Sequence, residues 1–217
     1  MIFQRLVFTG AEQRSVEKFS LSYPLEAGSV LVTNRVSLVS PGTELAMFNM
    51  THCGFTVPSP ETSWVKCPFY PGYATVGEVA EVGTGVTALA VGDRVWHAES
   101  YANESVVVAS APRNIPHGIA DHDAVSFGLV EIAMTAIRRA PVVLGEQVFV
   151  SGLGLVGMLS ALIYQYAGAT AGAADFSAGR LERARMLGID PVIDLGATTL
   201  VEWFAAPRRT VGGLTCR

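Results

Sequence analysis

Residues 146–190 read EQVFVSGLGLVGMLSALIYQYAGATAGAADFSAGRLERARMLGID. A short apolar run, Gln147 to Ser151, has strand length and enters Gly152-Leu-Gly154-Leu-Val-Gly157. A helix-length apolar segment follows, then a second apolar run that ends in Asp175. Strand, G-x-G-x-x-G, helix, strand and acid, in that order, are the parts of a dinucleotide-binding βαβ unit. Each glycine has its own task there. Gly152 permits the tight turn, Gly154 lets backbone approach a pyrophosphate, and Gly157 lets helix and strand pack closely. Leu155 and Val156 open the helix, so their unpaired amides and the positive end of the helix dipole face a phosphate. Asp175 is spaced to accept hydrogen bonds from ribose hydroxyls.

Two other readings compete. A glycine-rich turn in an α/β protein need bind nothing. The stretch Gln147 to Ala174 also carries no charged residue and exceeds the roughly 20 residues that a bilayer span requires. Against a span, the glycines cluster at one turn, Tyr164, Gln165 and Tyr166 interrupt the apolar run, and no basic cluster flanks it. A carboxylate at position 175 favours NAD, because it binds a free 2′-hydroxyl and repels a 2′-phosphate. NADP remains open through Arg180, although L-E-R-A-R-x-L-G reads more as the exposed side of the next helix.

With 217 residues the chain is long enough for one large or two small cores. Half of it is hydrophobic, 16% is charged and the net charge is −4, which points to a globular chain without a basic patch for nucleic acid. No membrane association is expected, and the N-terminal MIFQRLVFTGAEQRS lacks the long apolar core of a signal peptide. Cytoplasm is the expected location, so the sequons at Asn49 and Asn103 carry little meaning. Cys53, Cys67 and Cys216 form no C-x-x-C pair, which argues against disulfides and structural zinc.

Up to about residue 115 the pattern is β: Ser29 to Val39, Thr75 to Val82, Asp93 to Trp96 and Glu104 to Ala109 are apolar runs between Gly and Pro turns. The turns at Gly83-Thr-Gly85 and Val91-Gly-Asp93 suit a small barrel. Thr51 to Pro71 reads as an irregular loop of the kind that shapes pockets. Asp121 to Ala140 has helical apolar spacing and a basic end, stopped by Pro141. Beyond the glycine turn, Ala178 to Leu187 reads as a second helix and Pro191 to Asp194 as a third strand. The expected domains are therefore 1–120, a connecting helix over 121–141, and 142–217.

Tyr70-Pro-Gly-Tyr-Ala-Thr-Val-Gly77-Glu-Val-Ala-Glu-Val-Gly83, then Val91-Gly-Asp-Arg-Val95, then Val150-Ser-Gly-Leu-Gly-Leu-Val-Gly157 resemble the medium-chain dehydrogenase/reductase family. The resemblance covers residues 25 to 200 in the right order. It implies an α/β plus β fold: a GroES-like β-barrel catalytic domain, then a Rossmann domain, with the active site in the cleft between them. Ser40-Pro-Gly-Thr-Glu44 and Tyr70-Pro-Gly-Tyr73 look most like the bacteriochlorophyllide a dehydrogenase-type subgroup. The activity implied is hydride transfer between the nicotinamide of NAD or NADP and a small-molecule carbonyl, alcohol, quinone or activated alkene.

Departures from the family are informative. Pro41 stands where zinc-dependent members have a Cys, Gly72-Tyr73-Ala74 replaces Gly-His-Glu, and Ser126-Phe-Gly128 offers neither Cys nor Glu. The four-cysteine lobe is missing too, so no zinc is expected. His52, His97, His117 and His122 are scattered and read as surface or loop residues. Thr43 matches the hydroxyl that relays a proton in the family, and Tyr73 stands at a ligand position where its phenol would polarise a carbonyl. As plain structure, Thr43 is a turn residue, Tyr73 a half-buried strand aromatic, and Glu44 a structural acid.

Family members run well past Arg217, and Pro207 to Arg217 shows neither the family pattern nor a helix period. The resemblance thus implies a C-terminally truncated chain with an incomplete Rossmann domain: either a fragment without a complete hydride-transfer site, or a chain whose missing surface a partner chain supplies. Exposed sheet edges would then favour a homo-oligomer. A nucleotide-binding regulatory or interaction protein that has lost the chemistry is the alternative.

Overall fold

A computed structural model describes residues 2–21 and 23–205, with Phe204 described in its backbone alone. The chain divides into two compact units, Met1–Gly128 and Leu129–Arg217. The reading of Pro207 to Arg217 lies outside the described residues.

The first unit opens with a hairpin of β1 (Ile2–Gly10) and β2 (Gln13–Ser20). After β3 (Ser29–Ser37) come two short helices, α1 (Thr43–Phe48) and α2 (Cys53–Thr56). β4 (Thr75–Val82), β5 (Arg94–His97), β6 (Glu104–Val108) and β7 (Arg113–Asn114) follow. The larger sheet has the order β6-β3-β4-β5-β7, with every ladder antiparallel. The hairpin is bridged at single points, Arg5 to Ala102 and Phe8 to Phe69, and forms no continuous ladder with the larger sheet. One core lies under the sheet around Val30, Val32, Val79, Val95 and Val107, all β-branched residues that suit a pleated buried face. A second gathers Ala74, Val76, Trp96 and Val125. The stretch from Thr51 to Pro71 is less irregular than its composition suggests: it holds α2 and a 3-10 turn at Pro60–Thr62.

The expected single helix over 121–140 is broken in two, α3 (Asp121–Ala124) and α4 (Phe127–Arg139). Ser126 causes the break by local competition: its N–H (3.1 Å) and its hydroxyl (2.7 Å) both donate to the Asp123 carbonyl. Gly128 is needed just beyond, because a Cβ there would lie 2.8 Å from a ring carbon of Trp96.

The second unit is a three-stranded parallel sheet. β8 (Gln147–Ser151), α5 (Leu155–Tyr166), β9 (Thr170–Asp175), α6 (Ala178–Met186), β10 (Val192–Asp194) and α7 (Leu200–Ala205) follow in order. The strand order is β10-β9-β8, the first half of a doubly wound sheet. Its core contains Leu153, Met158, Ala161, Tyr164, Leu181, Ala184 and Ile189 around the alanines of β9. The uncharged run from Gln147 is thus partitioned into two strands and one amphipathic segment of helix. Among the described residues no helix is long and apolar enough to cross a membrane.

Candidate nucleotide site and catalytic hydroxyls

The carboxyl ends of the three parallel strands lie side by side: Ser151 pairs with Ala174, and Asp175 with Asp194. Ligands of open α/β sheets bind at this edge. Gly152 turns away from β8 with φ +93, a conformation that penalises any Cβ, while its N–H donates to the Ala174 carbonyl at 2.8 Å. Gly154 is the N-cap of α5, and a Cβ built there would meet nothing within 4 Å. At Gly157 a Cβ would sit 1.9 Å from the Gly152 carbonyl oxygen. The three glycines therefore answer to three separate constraints: a turn, an open approach and a close packing contact. Gly154, Leu155, Val156 and Gly157 belong to the cap and first turn, where helix geometry leaves N–H groups without intrahelical partners. Leu155 and Val156 are exposed there.

Asp175 is brought directly to this turn. Its Oδ2 accepts the N–H of Leu153 at 2.7 Å and its Oδ1 accepts the N–H of Ser177 at 2.8 Å. Leu153 itself points into the core, so the turn and the acid are locked by backbone and packing together. Burial of Asp175 opposes its charge, yet the amides of Ser177 and Leu153 and the Arg180 guanidinium outweigh it. The carboxyl is held below the usual carboxylate range. Arg180 lies at 3.4 Å on the exposed side of α6, with more than half of its side chain in solvent. Each carboxylate oxygen has two lone pairs, and Oδ1 spends one on Ser177. An acceptor for a sugar hydroxyl therefore remains. Together with the open space at Gly154, this edge fits the adenosine and pyrophosphate half of a dinucleotide.

Thr43 and Tyr73 both lie in the first unit. Thr43 begins α1 and is exposed; Tyr73 packs, half-buried, against Ala74, Val76, Trp96 and Val125. Between their loops lies a polar cluster that the sequence pattern did not reveal. Glu44 is 2% exposed, and its Oε2 accepts the Ser40 N–H at 2.6 Å and the Tyr101 hydroxyl at 2.7 Å. The Tyr101 hydroxyl also faces the Leu38 carbonyl oxygen at 2.6 Å. Burial first, then the hydrogen bond to Glu44, pushes the Tyr101 phenol far up. Tyr101 stands in Glu99-Ser-Tyr-Ala, a stretch without period or motif, so only the long-range contact marks it.

His97 departs from its expected surface or loop setting. It ends β5 with 1% exposure; its Nε2 donates to Asn34 Oδ1 at 2.8 Å and its Nδ1 accepts the Glu99 N–H at 3.2 Å. Burial lowers its pKa to about 4, which keeps the ring neutral and makes both bonds compatible. Pro41 is exposed and has no ligand atom, Tyr73 offers a phenol, and the Ser126 hydroxyl is committed to Asp123. These three positions do not fit a tetrahedral zinc ion. Among the described residues no group of three His, Cys, Asp or Glu gathers as a metal site.

The first unit is thus a GroES-like β unit and the second a Rossmann-type βαβ unit. The alcohol dehydrogenase GroES-like domain matches residues 26–128. Sorbitol dehydrogenase of Gallus gallus is 28% identical over 180 residues, which are 68% of this chain and 51% of that protein. An alcohol dehydrogenase of Rhizobium meliloti is 29% identical over 227 aligned positions, covering 87% of this chain and 66% of that protein. A solved short chain alcohol dehydrogenase from E. coli CFT073, complexed with NADH, superposes with TM-score 0.79 at 22% identity, over 94% of this chain and 66% of that one. Residues 26–128 thus match the GroES-like domain of alcohol dehydrogenases, and along its length the chain is similar to medium-chain dehydrogenases/reductases of the zinc-type alcohol dehydrogenase-like kind. It spans about half to two thirds of the length of the curated and solved relatives named above.

Proposed function

We propose that this chain belongs to an oxidoreductase that transfers a hydride between a nicotinamide cofactor and a small carbonyl, alcohol, quinone or activated alkene, without a catalytic zinc. The observation that carries this reading is the lock between turn and acid, the Leu153 N–H donating to Asp175 Oδ2 at 2.7 Å beside an open Gly154. NAD supplies the hydride acceptor or donor when bound. Gly152, Gly154 and Gly157 shape its pyrophosphate seat, and Leu155 and Val156 present their amides to it. Asp175 takes the ribose hydroxyls and stays ionised for that task. Arg180, more than half exposed, is the group that would accompany a 2′-phosphate. In this reading residues 1–120 are the catalytic domain, 121–141 connect, and 142–217 hold the cofactor.

Thr43 and Tyr73 polarise the substrate oxygen. A hydroxyl and a phenol that donate hydrogen bonds to the oxygen stabilise its developing negative charge as hydride arrives. Both would act as donors that strengthen in the transition state, so their loss should lower kcat more than it raises KM. The setting expected is a cytoplasmic enzyme with a small-molecule substrate, associating through its sheet edges.

Titration calorimetry with NAD, NADP and AMP, followed by hydride transfer to a quinone dye, tests the reading. Binding of NAD with turnover is expected, with Thr43→Ala and Tyr73→Phe each slowing kcat by about 10- to 100-fold, the range of a lost oxyanion or proton-relay contact. Binding without turnover on any acceptor would leave a nucleotide-binding protein that lacks the chemistry. Unchanged kcat in both variants would remove the two hydroxyls from it.

A further inference from the structure

The loops that carry Thr43 and Tyr73 are far apart in sequence, and one residue between them, Tyr101, bonds to both. Thr43 precedes Glu44, whose Oε2 accepts the Tyr101 hydroxyl at 2.7 Å. On the other side, the Tyr101 N–H donates to the Pro71 carbonyl at 2.8 Å, two residues before Tyr73. The contact with the second loop is as close as backbone allows: a Cβ at Gly72 would stand 2.4 Å from the Tyr101 nitrogen. The Tyr101 carbonyl is fixed in turn by the Leu6 N–H at 2.9 Å, and the loops meet again where the Leu38 N–H donates to the Ala74 carbonyl at 2.9 Å.

The chemistry of this cluster is unusual for a purely structural one. A buried carboxylate costs stability unless it is fully paired. Glu44 is buried, yet its Oε1 has no hydrogen-bond partner in the protein. Oε2 carries both of its donors, Ser40 and Tyr101. An apolar residue would hold a loop more cheaply, so a half-satisfied buried acid here points to a positional duty. We infer that Tyr101 is a positioning residue for the reaction. Through Glu44 and Pro71 it sets the placement of the Thr43 hydroxyl relative to the Tyr73 phenol, without touching the substrate. This rests on the proposed roles of Thr43 and Tyr73.

The test is Tyr101→Phe in the full chain, which deletes one oxygen and keeps the ring. It is paired with Glu44→Gln/Tyr101→Phe, which removes the buried charge that the single variant leaves without its hydroxyl donor. Two measurements are made: steady-state hydride transfer to a quinone dye, and the resonances of the Thr43 methyl and Tyr73 ring in NMR spectra of the free protein. Expected are a tenfold or greater fall in kcat with KM within twofold, and displacement of both resonances together. The double variant regains thermal stability and does not regain kcat. If the wild type turns over and Tyr101→Phe keeps its kcat, the positioning role is overturned. If the wild type shows no turnover, or Thr43→Ala and Tyr73→Phe do not affect it, the catalytic reading fails. The NMR result then decides separately: both resonances moving supports the mechanical tie, and either one staying in place overturns it. A double variant that recovers kcat along with stability reduces Tyr101 to a fold support and overturns the inference.

Discussion

Replacing Gly154 and Gly157 by alanine, one at a time, separates a phosphate seat from a mere glycine turn. At Gly157 the new methyl would meet the Gly152 carbonyl oxygen at 1.9 Å, whereas real Cβ contacts stay beyond 3.0 Å, so helix and turn must part by roughly 1 Å. Overpacking of this size costs about 1–3 kcal/mol, and the better helix propensity of alanine returns up to about 1 kcal/mol. A net loss of about 1–2 kcal/mol lowers Tm by roughly 2–8 °C for a chain of this length. At Gly154 the methyl enters empty space, and the φ of −63 is one that alanine adopts freely. The small N-cap loss and the gain from a stiffer unfolded chain nearly cancel, leaving stability within about 0.5 kcal/mol. In the proposed reading, the incoming diphosphate takes that space. Losing one charge-assisted amide–phosphate bond is worth about 1.5–3 kcal/mol, or about 10- to 150-fold in NAD affinity. Differential scanning fluorimetry gives the first quantity and titration calorimetry the second. If Gly154→Ala binds NAD within twofold of the wild type, no phosphate approaches this turn and the nucleotide reading loses its foundation.

Asp175→Asn keeps the shape but presents an amide NH2 to one of two N–H donors, so a loss of about 1–3 kcal/mol in urea unfolding is expected. The same change should move the NAD-to-NADP affinity ratio towards NADP, read by calorimetry. His97 gives a pH signature. Its folded pKa of about 4 lies below the ordinary 6.5, so the folded state binds fewer protons, and the stability due to the neutral ring is complete above pH 6.5 and lost as pH falls towards 4. Between pH 6.5 and 5 the loss comes to about 1.6 kcal/mol. Urea denaturation across that interval should show this slope in the wild type and a flatter one in His97→Gln. A slope unchanged by the substitution would mean that His97 does not titrate as its burial requires.

Local patterns along the chain already carried the βαβ unit. G-x-G-x-x-G between apolar runs, with an acid at 175, specifies strand, turn, helix and strand through constraints that act within a few residues or along one strand edge. The β runs at Thr75 to Val82 and Glu104 to Ala109 were legible for the same reason, since alternation and Gly turns are local signals. Other features depend on partners distant in sequence. The break at Ser126 required knowing that its hydroxyl folds back on Asp123 and that Gly128 must pass under Trp96. Tyr101 has no motif, and its role appears only when residues 38, 44 and 71 converge on it. His97 looked like any polar residue after a strand until Asn34, on another strand, closed over it. Hydrogen bonding between remote backbone and side-chain groups depends on how the sheet is registered, and no short stretch encodes that register. Hence the glycine turn and its βαβ unit could be read from one segment, whereas the arrangement around Thr43 and Tyr73 was decided by tertiary packing.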